Sequence, residues 1–173
     1  TGGGKPMSAG MFRIGHGFDV HRFSEKFDSN KPLMLGGLKI EEPRSFLAHS
    51  DGDVVLHAIC DAILGAIGEG DIGQHFPDTD EEFANIDSIL LLKQVLERAS
   101  AKGWYPVNVD ITVIAQTPKL APYREAMRDR LADQMGLKVS EVNVKATTTE
   151  GLGFIGREEG IACHCVTILS LAT

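Results

Sequence analysis

The tripeptide Asp19-Val20-His21 is the segment of this sequence best suited to chemistry. In extended backbone, residues i and i+2 point to the same side, so Asp19 and His21 can present a carboxylate and an imidazole to one ion. His57 offers a third donor. It interrupts VVLHAICDAILGAIG, a run that is apolar nearly all round, and Asp53 and Asp61 lie one helical turn to either side of it. Either carboxylate could accept a hydrogen bond from the ring nitrogen that His57 turns away from an ion. The competing reading of His57 is a satisfied core histidine, and the presence of Asp19 and His21 shifts the balance toward a ligand. A carboxylate and two imidazoles with an open fourth position form a catalytic metal arrangement, because a structural site is normally closed by protein ligands. Zinc leads on donor type, with the two-histidine, one-carboxylate iron site as its competitor.

Three other segments carry groups that could meet a substrate. His49-Ser50-Asp51-Gly52 enters the His57 helix, where backbone N–H groups and the positive end of the helix dipole favour an anion; read structurally, it is only a cap. Asp71-Ile72-Gly73 and Phe76-Pro77-Asp78-Thr79-Asp80 form a polar loop between helices, either a substrate-contacting loop or a solvated turn. Lys145-Ala146-Thr147-Thr148-Thr149-Glu150 leaves a strand as three hydroxyls and a carboxylate. Hydroxyl and backbone donors hold phosphate oxygens and a carboxylate suits magnesium, although a threonine run is also ordinary strand material. His16 and His75 carry no decided role. In Cys163-His164-Cys165, strand alternation sends both sulfurs to one face and His164 to the other, which speaks for plain strand residues rather than a metal site.

The elements that must position these groups are legible in outline. Residues 11–23 (MFRIGHGFDVHRF) open as a strand, and PLMLGGLKI over 32–40 reads as a hairpin around Gly36-Gly37, expected at a sheet edge. A buried helix starts after a capping box made by Ser50 and Asp53 and ends at Gly68; a second runs from an N-cap at Asp87 to Gly103, and a third from about Pro122 to Gly136. Strand composition returns at 107–115, 142–147 and 161–171. Helices alternating with strands imply an α/β or α+β sandwich in which helices cover a mixed sheet. Residues 1–10 (TGGGKPMSAG) read as a flexible leader or artificial extension before Met11, and 11–173 as one catalytic domain.

A formal net charge of −7 argues against holding nucleic acid or an anionic membrane through a general basic field, so any phosphate must be met by local devices. No apolar run reaches the ~18 residues needed to span a bilayer. Three cysteines, odd in number and without CxxC spacing, suit a reduced cytoplasmic protein.

GHGFDVHRF, LAHSDGDVVLHAICDAILGA, GDIGQHFPDTD, NVDITVIAQTPKL and VNVKATTTEGLGFIGREEGIAC, in this order over nearly all of 11–165, resemble the 2-C-methyl-D-erythritol 2,4-cyclodiphosphate synthase family. Each motif is weak alone and the ordered set is specific; Thr117, Ile155 and Glu158 fall where the family varies. The resemblance implies a ferredoxin-like four-stranded sheet covered by helices, assembled as a homotrimer with active sites between subunits. It implies conversion of 4-diphosphocytidyl-2-C-methyl-D-erythritol 2-phosphate to the 2,4-cyclodiphosphate with release of CMP. By the same resemblance zinc sits on Asp19, His21 and His57, while Glu150 holds magnesium or manganese at the substrate diphosphate. His49 and Thr148 match transition-state stabilisers. Asp71, Gly73 and Asp78 match positions that hold the erythritol part, within a substrate-binding set that takes in Ser50, Ile72, Phe76, Pro77, Thr79 and Asp80. Ala115, Gln116, Thr117, Pro118, Lys119 and Leu120, with Thr147 and Thr149, match the surroundings of the cytidine and its phosphates. Phe154 and Arg157 match residues at a central trimer cavity proposed to take an isoprenoid diphosphate. Two further hypotheses use the same triad: a metal-dependent hydrolase or oxygenase acting on another substrate, and a non-catalytic trimeric scaffold that keeps a structural metal.

Overall fold

The computed structural model describes residues 10–77 and 86–172. The reading of 1–10 as a leader lies outside these, apart from Gly10, as do Asp78, Thr79 and Asp80 of the polar loop. Four strands form the main sheet: β1 (Phe12–Arg22), β4 (Trp104–Ile114), β5 (Val142–Thr147) and β6 (Gly160–Leu171), in spatial order β1-β6-β4-β5. β6 is antiparallel to both β1 and β4, whereas β4 and β5 are parallel. The parallel pair is joined through α4 (Arg124–Met135), the crossover that parallel strands require. The sheet is thus mixed, as expected, but the connection order is not ferredoxin-like. That arrangement runs β-α-β-β-α-β, whereas here helices fill both of the first two gaps between sheet strands and β6 follows β5 with only the single-turn α5 (Gly153–Gly156) between them.

The hairpin β2 (Met34–Leu35) and β3 (Leu38–Lys39) turns on Gly36 and Gly37, whose φ values of 61° and 75° suit glycine at both central positions. It stands as a separate two-stranded sheet rather than at the edge of the main one. Its place is set by Asp53, whose carboxylate accepts from the N–H groups of Gly36 and Gly37 as well as from Val55 and Leu56. Asp53 is therefore itself the N-cap of α1 (Val54–Ile67), and the capping box expected from Ser50 is not used. α1 ends at Gly68 in the left-handed conformation, α3 (Ser88–Ala101) begins after its cap Asp87, and α4 ends at Gly136, all as the sequence predicts. The C-terminal cap of α3 is Lys102 instead of Gly103.

Helix α1 is buried on nearly every side because it lies between the sheet and α3, packing on β1 and β6. Alternation along β1 separates the two faces of the sheet. Gly15, Gly17, Asp19 and His21 point toward α1; Phe12, Ile14, His16, Phe18 and Val20 point to the open face. Ideal Cβ atoms built on Gly15 and Gly17 would stand 1.7 and 1.8 Å from the carbonyl oxygens of Ala62 and Ala58. Only glycine lets the strand approach the helix this closely. All three cysteines are free and buried, with the sulfurs of Cys163 and Cys165 on the covered face and His164 opposite, where it pairs with His16. Burial pushes each thiol above its ordinary range, which makes these cysteines poor nucleophiles and metal ligands.

Gly17→Ala should force β1 away from α1, because the atom in the way is backbone and cannot rotate aside. The expected loss is about 3 kcal/mol or more of unfolding free energy, measured by denaturant titration, with divalent-metal binding lost in the same protein.

Candidate metal centre

Asp19 and His21 reach the α1 side of the sheet by strand alternation, and His57 meets them from the first turn of the helix, one residue before the Ala58 carbonyl that faces Gly17. The three donors close on one another: His57 Nδ1 to Asp19 Oδ2 is 3.0 Å, His21 Nε2 to Asp19 Oδ2 is 3.1 Å, and His21 Nε2 to His57 Nδ1 is 3.1 Å. Among the described residues this is the one group of three or more such side chains arranged to hold a metal ion. A single ion about 2.0–2.2 Å from each donor fits a triangle of this size, and the donor set suits a borderline divalent ion.

Burial works to raise the Asp19 carboxyl, but hydrogen bonds from His21 and His57 outweigh it and hold the group at about 2. For His57, burial works downward and the Asp19 carboxylate prevails, so the imidazole is held above its ordinary value. A proton shared in this cluster occupies the place a cation would take, and binding of a divalent ion therefore releases it. The other ring nitrogen of His57 does not meet Asp53 or Asp61, contrary to the sequence expectation. Asp53 is spent on four backbone N–H groups, and Asp61 accepts from Ile72 N–H at 2.8 Å. The partner at 2.8 Å is Ser88 Oγ, the first residue of α3, with Ser50 Oγ more distant at 3.4 Å.

The cluster opens into a cleft of about 320 Å³ lined by His49, Ser50, Ile72, Gly73 and Phe76, together with Leu47, Ala48, Ile86 and Leu91. His49 is exposed on its wall. Asp71 does not line it; its carboxylate caps α2 (Ile72–His75) by accepting from Gln74 N–H. Pro77 is half-buried beside the cleft residue Phe76. His75 bonds the Glu69 carbonyl and takes no part in the cluster.

The remaining predicted residues gather elsewhere. Ala115, Gln116, Pro118, Lys119 and Leu120 line a second cleft with Ala121, Ala146, Thr147 and Thr148, and the two clefts share no lining residue. Thr117 lies in the same turn, through a cis bond to Pro118. Glu150 is exposed with a positive φ of 55°, its N–H donating to Thr148 Oγ1, while Thr149 Oγ1 donates to the Leu152 carbonyl. Gln116 Oε1 accepts from Gly151 N–H and ties the two loops together. Phe154 lines a third cleft with Val20, His21 and Arg22, and Arg157 pairs with Glu159.

The YgbB family model matches residues 12–170, which takes in the metal cluster and both groups of loop residues. The chain belongs to the YgbB family. Its relatives include the 2-C-methyl-D-erythritol 2,4-cyclodiphosphate synthase of Pseudoalteromonas translucida (strain TAC 125), 56% identical over 160 residues covering 92% of this chain and 94% of that protein. Among solved structures, the Plasmodium falciparum IspF in complex with CDP superposes with a TM-score of 0.82 at 36% identity, over 96% of this chain and 100% of that one. The bifunctional IspDF of Campylobacter jejuni gives a TM-score of 0.86 at 48% identity, covering 92% of this chain and 42% of the larger protein.

A metal titration of the stripped protein should give one tightly bound divalent ion per chain, with affinity falling as the pH is lowered because protons compete for His57. His57→Ala should abolish the tight phase in equilibrium dialysis; retention of that phase would make His57 a core residue and remove it from the centre.

Proposed function

We infer that the protein is a cyclodiphosphate synthase. It converts 4-diphosphocytidyl-2-C-methyl-D-erythritol 2-phosphate to 2-C-methyl-D-erythritol 2,4-cyclodiphosphate and CMP. An oxygen of the 2-phosphate attacks the β-phosphorus of the same molecule, the new P–O bond closes the ring, and the bond from the β-phosphorus to the bridging oxygen breaks, leaving that oxygen on CMP. Water does not enter, so the reaction is a lyase-class cyclisation in the non-mevalonate route to isoprenoids. The observation that carries this reading is the Asp19–His21–His57 centre, set at the wall of a cleft in a chain that matches its family over residues 12–170.

Phosphoryl transfer of this kind asks for alignment and for charge placed where the phosphate oxygens develop it. Zinc on Asp19, His21 and His57 and magnesium or manganese on Glu150 would supply Lewis-acid polarisation and charge neutralisation across the diphosphate. The chain supplies the rest. His49 and Thr148 donate hydrogen bonds to oxygens whose charge changes along the reaction. Ser50, Ile72, Gly73, Phe76 and Pro77, with Asp71 fixing the start of α2 and residues 78–80 following, hold the erythritol portion. Residues 115–120, Thr147 and Thr149 hold the cytidine and its phosphates. A protein of net charge −7 has no general field to gather so anionic a substrate, which is why placed donors and cations are required.

A homotrimer completes the site by standing the second cleft of one copy against the metal cleft of the next. Two features support it. The metal and nucleotide residues line separate clefts within a chain. The uncovered sheet face also carries Phe12 and Ile14 at 61% and 70% exposure beside Phe18, Val20, Val166 and Ile168, an apolar surface that calls for a partner. Phe154 and Arg157 stand toward the interior of such an assembly, which is where an isoprenoid diphosphate would meet them. We place the protein in the cytoplasm; no helix among the described residues is long and apolar enough to cross a membrane.

Asp19→Ala and Thr148→Ala proteins should each be inactive in an assay of CMP release from the cytidyl substrate. Dissociated, mixed in equal amounts and reassembled, they should regain about a quarter of wild-type activity, because random cyclic assembly pairs intact halves at that frequency. Absence of recovery in mixed trimers confirmed by native mass spectrometry would place both residues in a site within one chain, and release of a hydrolysed, uncyclised product would replace the synthase reading with that of a hydrolase.

A further inference from the structure

Histidine 57 has two ring nitrogens, and only one can face the metal. Its Nδ1 lies in the cluster with Asp19 and His21, and its Nε2 lies 2.8 Å from Ser88 Oγ. Ser88 is fully buried. A serine hydroxyl has a single proton to donate, and here that proton goes to Asp51 Oδ1, with Oγ 2.5 Å away.

Asp51 is built to receive it. Its Oδ1 also accepts the Asp53 N–H at 3.0 Å, and its Oδ2 accepts the Ser88 N–H at 2.9 Å. Three donors converge on the carboxylate, and a carboxylate can only accept. With its proton committed to Asp51, Ser88 Oγ can offer His57 nothing but a lone pair. In the neutral imidazole this draws the ring proton to His57 Nε2, against the competing Asp19 Oδ2 at 3.0 Å from Nδ1, and leaves on Nδ1 a lone pair that the His21 Nε2–H, 3.1 Å away, can meet. Ser50 Oγ, which accepts the Gly52 N–H, stands farther from Nε2 at 3.4 Å, so Ser88 at 2.8 Å is the closer partner.

We propose that Ser88, oriented by Asp51, is a positioning residue that sets the tautomer of the neutral His57 ring, leaving the Nδ1 lone pair for the metal. The inference rests on the metal-centre reading above and extends it with residues from two further segments. Asp51 lies on the turn that leads into α1, and Ser88 opens α3, so the relay ties the metal ligand to the junction of both helices. It also locks the ring plane, because a hydrogen bond at each nitrogen leaves no freedom to flip.

The test is nitrogen NMR of the full chain with labelled histidine, metal-stripped and at a pH where His57 is neutral, paired with zinc affinity measured against a competing chelator. Wild-type protein is expected to carry the ring proton on Nε2. In Ser88→Ala the ring should populate both tautomers and zinc affinity should fall about 10- to 100-fold, the usual effect of losing a partner that orients a metal ligand. Asp51→Asn preserves shape and keeps Ser88 in place; it should move both readouts in the same direction, so the test survives if Ser88→Ala folds poorly. A wild-type ring protonated on Nδ1 would overturn the relay, as would variants that lose thermal stability with tautomer and zinc affinity unchanged. Zinc binding that survives His57→Ala would instead sink the metal-centre reading, and the tautomer measured without metal would still decide the relay.

Discussion

Strand β1 lies against helix α1 at a distance set by backbone alone, with Gly15 and Gly17 facing the carbonyl oxygens of Ala62 and Ala58 where no side chain has room. Every feature of the metal centre follows from this contact. Alternation puts Asp19 and His21 on the same side of the strand as the two glycines, so the close approach that packs the core also carries both side chains to His57. A one-residue slip of β1 would place Phe18 and Val20 against the helix and turn the ligands to the open face. Packing and chemistry therefore share one register.

Held so close, the three donors form an electrostatic unit rather than independent groups. Asp19 is depressed to about 2 against its own burial because two imidazoles bond to one of its oxygens, and His57 is raised by that same carboxylate. Around them three carboxylates tie the elements together: Asp53 holds the hairpin to the start of α1, Asp61 holds the start of α2, and Asp51 holds Ser88. Each of these carboxylates accepts at least one backbone N–H and so fixes a segment around the site; the bond from Asp61 holds Ile72, which lines the metal cleft.

Much of this is legible in the sequence because it is local. The i, i+2 spacing of Asp19 and His21, the interruption of an apolar helix by His57, the glycine caps at Gly68 and Gly136 and the Gly36-Gly37 turn all depend on neighbours a few residues apart. What the local sequence does not carry depends on distance. Ser88 reaches His57 across a separation of 31 residues and two helix starts, and nothing in its own surroundings marks it. Asp53 reads locally as the far end of a capping box, because its other partners, Gly36 and Gly37, lie on a hairpin whose docking no local pattern encodes. The order of strands in the sheet escaped for the same reason: pairing β6 between β1 and β4 is decided by packing over the whole chain.

The central claim is that this metal centre and the nucleotide cleft of a neighbouring copy are two halves of one site. A crystal structure of the protein grown with zinc and cytidine diphosphate, with anomalous data at the zinc edge, tests it most directly. The account predicts one zinc peak bounded by Asp19, His21 and His57, a diphosphate oxygen as its fourth ligand, and the cytosine held by residues 115–120 of the adjoining subunit in a closed trimer. A zinc peak at other side chains, or a nucleotide bound in a single chain away from the metal, would contradict it.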